Sequence, residues 1–379
     1  MVTGGTEDVA ADEATLSGSY SGETGTITET GFEYGTSSSL GRSVSSGSTS
    51  ASFSAVVTGL TASTTYYYRA YAKESVGGVT STRYGTTKTF TTLPGGSSGG
   101  DQPSGYRTGW LASNEVPAIP TLNGSTASGT NSDRDDKWTR YYTTDSKVQV
   151  AVHTFTHPTT GKTERNFIVY YDESKYSPIW VASVMHSGMY PDNSAGRSGS
   201  WAVDPAIDLD QYDSVDGYSK GHMVASNDRQ STKNQNQQTF YYTNKAAQYQ
   251  TQFNDGVWNQ LEQAIKGSAP SGRDTLYVVT GVLYEGTVTT KTSGEYVVPI
   301  PSHFYKCLMK CSFDTNGTMT AAKGVAYVYT NEAHSGVQYN NSQFLSTIDD
   351  IEARAGFDFF PNVPKTLQDA AESSKASIW

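Results

Sequence analysis

The sequence predicts a multidomain chain: an all-β sandwich at the N-terminus followed by an α+β domain. Three observations carry that expectation. Residues 6–92 alternate polar and apolar side chains between glycine-rich turns, the period-two pattern of half-buried strands. Residues 93–105 read Leu-Pro-Gly-Gly-Ser-Ser-Gly-Gly-Asp-Gln-Pro-Ser-Gly, a flexible linker by composition. Residues 106–379 mix apolar strand segments with helical patterns, and 379 residues suffice for two or three domains.

Charged residues make up only 17% of the chain and aromatics 12%, with 26 Tyr, a composition that suits β-rich extracellular proteins. The formal net charge of −10 argues against a protein whose main task is tight, static nucleic-acid binding. It leaves room for an enzyme that meets phosphates through a local basic groove and a divalent ion. No hydrophobic run approaches the length of a membrane span. Met1-Val2-Thr3-Gly4-Gly5 reads as an artificial start, with any export signal already removed. A secreted, periplasmic or cell-surface location is the resulting expectation. Oligomeric state is not legible.

Within the first domain, residues 14–18, 31–35 and 51–57 are strand candidates. Leu60-Thr61-Ala62-Ser63-Thr64-Thr65-Tyr66 then leads into Tyr66-Tyr67-Tyr68-Arg69-Ala70-Tyr71-Ala72. This resembles fibronectin type III domains, in which a Leu and a Thr precede a tyrosine whose hydroxyl bonds back to the backbone. Tyr66 stands in that place, with Tyr68, Ala70 and Ala72 expected on the inner face, and Ala62 replaces the usual proline. The module reads either as a spacer or as a surface for cell-surface or glycan contact, and fold alone does not choose.

The second domain opens at Tyr106. Residues 148–153, 165–172, 178–186 and 274–281 are strand patterns. Cys307 and Cys311 fall in the strand pattern 304–313. Residues four apart in a strand lie about 13 Å apart, too far for a disulfide, so both read as buried free thiols. His153, His157, His186 and His303 read as structural residues, since no Cys/His spacing suggests zinc. Residues 346–355 read as a helix closed by Gly356, followed by Phe357-Asp358-Phe359-Phe360-Pro361 locking onto the core. The polar tail after Thr366 is expected to fray.

The richest stretch is 213–266. It contains Tyr218-Ser219-Lys220-Gly221-His222-Met223-Val224-Ala225-Ser226-Asn227-Asp228-Arg229, then Tyr242-Thr243-Asn244, then Phe253-Asn254-Asp255-Gly256-Val257-Trp258-Asn259-Gln260-Leu261-Glu262. The segment 254–266 reads as a helix, with Asn254 or Asp255 as N-cap and Gly267 ending it in a left-handed conformation. Asn254, Trp258, Glu262 and Lys266 are four apart and form one stripe. On pattern alone this is equally an amphipathic helix with a Glu/Lys pair on its wet side. Gly221 permits close backbone approach beside His222, and a histidine can take a proton near neutral pH.

Taken together, these residues resemble the DNA/RNA non-specific endonuclease family, metal-dependent nucleases with a ββα active site. Trp110-Leu111, Val116-Pro117, the strand 274–281 and Pro299-Ile300-Pro301-Ser302-His303-Phe304-Tyr305-Lys306 extend the likeness across residues 106–366. The resemblance implies that His222 is the general base and that Asn254 holds a magnesium ion, with manganese as a substitute. It makes Glu262, eight residues on, the holder of metal-bound waters. Asn244 would orient the loop, and Lys220 would contact the phosphate, with Lys266 and Arg229 as further candidates. The family's Asp-Arg before Gly-His is Ser219-Lys220 here, which keeps the charge but loses the guanidinium fork. The interval from Asn244 to Asn254 is one residue longer than usual, which implies a small bulge.

The implied activity is sequence-non-specific hydrolysis of DNA and RNA phosphodiesters. No helix-turn-helix, zinc-finger or RNA-recognition signature appears. The alternative is a surface binding or adhesion protein whose nuclease-like domain is catalytically weakened.

Overall fold

The computed structural model describes residues 1–7, 9, 13–61, 64–92, 111, 113–186 and 195–378. The linker 93–105, Ala62, Tyr106 and Trp110 lie outside the described residues. Contacts divide the chain into two compact units, Met1–Ser113 and Asn114–Trp379.

The first unit holds β1 (Val2–Glu7), β2 (Glu13–Ser19), β3 (Thr26–Gly35), β4 (Arg42–Ser45), β5 (Ser52–Thr58), β6 (Thr65–Val76), β7 (Val79–Tyr84) and β8 (Lys88–Thr91). One sheet runs β1-β2-β5 and the other β4-β3-β6-β7, with β8 on β6. Leu16, Phe32, Phe53, Val57, Tyr66, Tyr68 and Phe90 fill the core. The Tyr66 hydroxyl accepts a hydrogen bond from the Thr61 amide at 2.8 Å. Tyr68, Ala70 and Ala72 are buried, as the alternation predicts. The first residues are not an appendage. Tyr68 Oη donates to the Gly4 carbonyl at 3.0 Å and the Ala70 amide to Thr3 Oγ1 at 3.1 Å. The sandwich therefore begins at Val2, ahead of the expected boundary at residue 6. Gly4 and Gly5 carry no side chain to show the alternation, which hid the strand.

The second unit is built on a nine-stranded antiparallel sheet. Its strands are β9 (Leu122–Asn131), β10 (Asp136–Thr143), β11 (Val148–Thr156), β12 (Thr163–Asp172) and β13 (Ser177–His186), with four more from further along the chain. Between them, β14 (Tyr218–His222), α1 (Lys233–Gln238), β15 (Lys245–Tyr249) and α2 (Asn259–Gly267) build a layer on one face. The remaining elements are β16 (Thr275–Leu283), β17 (Thr290–Ser293), β18 (Tyr296–Pro299), β19 (His303–Phe313), β20 (Met319–Thr330), β21 (Leu345–Ser346), α3 (Ile348–Ala355) and α4 (Lys365–Glu372). The sheet order is β21-β20-β19-β16-β13-β12-β11-β10-β9.

Leu261 and Ile265 of α2 pack with Phe253, Val257 and Trp258 against Phe304, Leu308, Val325 and Tyr327 of the sheet. On the opposite face a side chain on Gly324 would meet the Ala371 carbonyl of α4 at 2.2 Å, so glycine is required for α4 to lie that close. The tail expected to fray is thus helical and packed, with Gln368, Ala371 and Glu372 buried. Its polar composition concealed one buried stripe. Thr347 caps α3 through the Asp350 amide, and Gly356 ends it with φ 75°. Cys307 and Cys311 are free and fully buried in β19. His153 bridges Asp136 (2.8 Å) and Asp204 (3.1 Å) in the core. Burial opposes its charge, but the two carboxylates prevail and hold its pKa up at about 10.

Candidate active site

Two short strands and an irregular turn position the site. β14 pairs antiparallel with β15, placing His222 opposite Lys245 and Lys220 opposite Ala247. Gly221 makes this pairing tight: a side chain there would lie 2.4 Å from Gln248 Oε1. After β15 the chain does not enter a regular helix. Gln252 adopts a left-handed conformation (φ 63°), and Gly256 departs from helical geometry (φ −109°, ψ −114°). Asp255 Oδ1 accepts from the Gln252 amide and steadies the kink. The expected helix 254–266 therefore starts regularly only at Asn259, and Asn254 sits on the turn before it. Gly267 is the last helical residue and is not left-handed; Ser268 caps the end with φ −100°.

This arrangement opens a cleft of about 660 Å³ lined by Arg197, Trp201, Lys220, His222, Asn254 and Glu262, among others. Four sequence candidates thus share one wall. His222 is packed against Trp201 (ring centres 4.7 Å) and Phe240 (4.9 Å). Its Nε2 is buried and takes no hydrogen bond from any described residue. Burial, reinforced by the charges of Arg197 and Lys306, pushes its pKa down to about 3. The imidazole is therefore neutral and an acceptor. Glu262 Oε1 is likewise buried and unpartnered among the described residues. Burial raises Glu262 to about 7 against the pull of Lys306, with Asp228 adding to the rise. Asn254 lines the cleft and donates its side-chain amide to Gln248 Oε1.

The remaining candidates are placed differently. Asn244 lies outside the cleft lining. Its Oδ1 accepts from the Val224 amide (2.9 Å), and its Nδ2 donates to the Val224 (3.0 Å) and Thr239 (2.9 Å) carbonyls. It pins the chain just beyond His222. Arg229 is fully buried and donates to the carbonyls of Asn166, Asp228 and Val184. A guanidinium spent on interior carbonyls is no substrate contact, which corrects that expectation. Lys266 is also outside the lining and donates to Asn227 Oδ1 (2.9 Å) and its carbonyl (3.1 Å). These bonds tie it to Asn227, which lines the cleft.

Sequence reasoning missed Arg197, Trp201 and Lys306. Arg197 and Trp201 stand in the polar loop Gly196-Arg197-Ser198-Gly199-Ser200-Trp201, where an isolated cation and aromatic were the available signal. Lys306 shares the inward face of β19 with Phe304 and Leu308, so the charge at a core position was visible too. It lies 4.6 Å from the Trp258 ring centre and donates to Thr280 Oγ1 at 3.0 Å.

The donor set tests a hard metal ion. The carboxamide of a cleft-lining asparagine and an unpartnered carboxylate oxygen are the ligands such a cation prefers, and neither thiol is among the cleft-lining residues. The residues fit an oxygen-liganded divalent ion.

A family model for DNA/RNA non-specific endonucleases matches residues 146–366. The mitochondrial nuclease EXOG of Danio rerio is 27% identical over 239 residues, covering 59% of this chain and 68% of that protein. The human EXOG nuclease is 27% identical over 239 residues, covering 58% and 63%. A nuclease of Nostoc sp. is 24% identical over 218 residues, covering 55% and 76%. The chain thus spans about two thirds of the length of the two mitochondrial relatives.

Proposed function

Because this chain belongs to the DNA/RNA non-specific endonuclease family, and so to the hydrolases, we propose that its cleft cuts phosphodiester bonds of DNA and RNA internally and with little regard to sequence. The observation that carries the reading is the neutral His222, with a buried and unpartnered Nε2, in one cleft with the unpartnered Glu262 oxygen. His222 Nε2 accepts the proton of the attacking water. The arriving phosphate anion offsets the Arg197 and Lys306 charges and so raises the basicity of His222. A magnesium ion, when bound, neutralises charge on the phosphate and on the leaving oxygen. The Asn254 carboxamide would hold that ion and the Glu262 carboxylate its waters, with manganese as a substitute. Lys220 and Arg197 bind backbone oxygens, which carry no base identity.

The N-terminal unit we infer to be fibronectin type III-like and to serve as a spacer; its tyrosine-to-backbone bond at Tyr66 and Thr61 supports this.

The test is cleavage of closed circular DNA and of a structured RNA with magnesium. Both should be cut, and EDTA should stop both cuts. Sparing of circles while linear ends are trimmed would defeat the endonuclease reading.

A further inference from the structure

We propose that Asp213 occupies a second phosphate seat on Lys220, the cleft-lining residue two positions before His222, and yields it to the nucleic-acid backbone. The inference rests on the nuclease reading above. Lys220 lines the cleft, yet its ammonium is ion-paired with the Asp213 carboxylate. The same carboxylate takes a hydrogen bond from Tyr242, and it is held below the usual carboxylate range by Lys220 first and Tyr242 next, with Lys245 adding its charge. The Lys220 Nζ lies 5.7 Å from the Trp201 ring centre and 5.6 Å from that of Tyr242. The buried Lys245 Nζ is 5.2 Å from the Tyr242 ring centre and 3.3 Å from that of Tyr212. One ammonium and one phenolic hydroxyl therefore hold a single oxyanion, and the amine of Lys245, whose charge burial strongly disfavours, stands behind them at the Tyr242 ring.

The cation is the fixed partner. Lys220 stands on β14, paired with β15, and its side chain is 25% exposed against 57% for Asp213. Asp213 is the solvated, replaceable partner, and an exposed ion pair costs little to exchange. Lys220 and His222 are two apart on one strand and both line the cleft. Their backbones are about 7 Å apart, of the order of the separation of neighbouring phosphates along one strand. A backbone phosphate in this seat thus places its neighbour at His222.

The test is binding of a short fluorescein-labelled single-stranded oligonucleotide in EDTA, where no cleavage intrudes. Asp213→Asn is expected to lower Kd about two- to fivefold and to steepen the salt dependence by about one counterion. Asp213→Ser should do the same. In a Lys220→Met background the gain should vanish. Unchanged or weaker binding by both Asp213 variants would overturn the proposal, because Asp213 would then be a strap for its loop. A gain that persists without Lys220 would overturn it as well. Loss of cleavage with magnesium in the parent protein would sink the nuclease reading alone, and this binding comparison would still judge the seat.

Discussion

Lys306 donates its ammonium to the backbone carbonyl of Met223 at 3.1 Å, so the middle of the large sheet holds the residue that follows His222. Burial holds the Lys306 pKa below its ordinary value, and the nearby Glu262 and Asp228 carboxylates oppose that fall. Lys306→Met would leave the Met223 carbonyl and the Thr280 hydroxyl without their donor and take a nearby positive charge from Glu262 and Asp228. Leaving buried polar groups unpaired costs about 1–3 kcal/mol each. Urea unfolding should show that loss together with a fall in kcat. Unchanged stability would mean that water replaces the ammonium freely.

His222→Ala should lower the cleavage rate roughly 10²–10⁴-fold while leaving the fold intact. A free imidazole titrates near 6.5, and the family resemblance alone would place an acid loss of activity there. Burial moves His222 to about 3, with Arg197 and Lys306 adding to the effect, so the base stays unprotonated through mildly acidic pH. Its stability contribution is present above about 6.5 and fades as pH falls toward 3, because the unfolded chain takes up the proton first. In EDTA, the melting temperature of the parent should drop more steeply between those limits than that of His222→Ala. Parallel pH profiles would remove the burial argument.

Glu262 behaves in the opposite sense. Burial raises it to about 7, although Lys306 pulls it down. In metal-free protein its contribution is therefore full below about 4.5 and lost as pH rises through 7. Glu262→Gln should gain stability relative to the parent at pH 8 more than at pH 5, and should cut nucleic acid poorly at both. An equal effect at the two pH values would show that the carboxyl is ionised throughout.

Arg229→Met should destabilise the fold by about 3 kcal/mol, because three interior carbonyl groups lose their donor. KM for nucleic acid should stay within twofold for the fraction that remains folded. A large rise in KM without loss of stability would return Arg229 to the substrate surface.

The strands were legible because alternation and β-branched runs leave a trace in sequence. β6, β12 and β13 follow the pattern to within a few residues at their ends, and Cys307 and Cys311 lie buried on β19 as their spacing implied. Lys220, His222, Asn254 and Glu262 were picked out by the family resemblance, since local pattern alone leaves an amphipathic helix and a lone histidine; the four line one cleft. The failures share one cause. Arg229 looks like a surface cation in sequence, since nothing local announces the carbonyls that fold around it. The helix start was misread because Gln252 and Gly256 break helical geometry while Trp258, Leu261 and Ile265 keep its apolar spacing. Lys306 is 84 residues from His222, and only the pairing of β16 with β19 brings it beneath the site.

The two cysteines have a practical corollary. Both sulfurs are sealed in β19; burial, with Glu352 and Glu372 adding, lifts the Cys307 thiol far above its ordinary range, and burial with Asp274 lifts Cys311 to about 12. A thiolate is the reactive form, and neither sulfur supplies one at physiological pH. Alkylating reagents, peroxide and glutathione should find no handle on the folded chain. Dithiothreitol in a purification buffer should make no difference to it. Labelling by iodoacetamide would then serve as a clean clock for global unfolding, one sheet strand reporting the opening of the whole second unit.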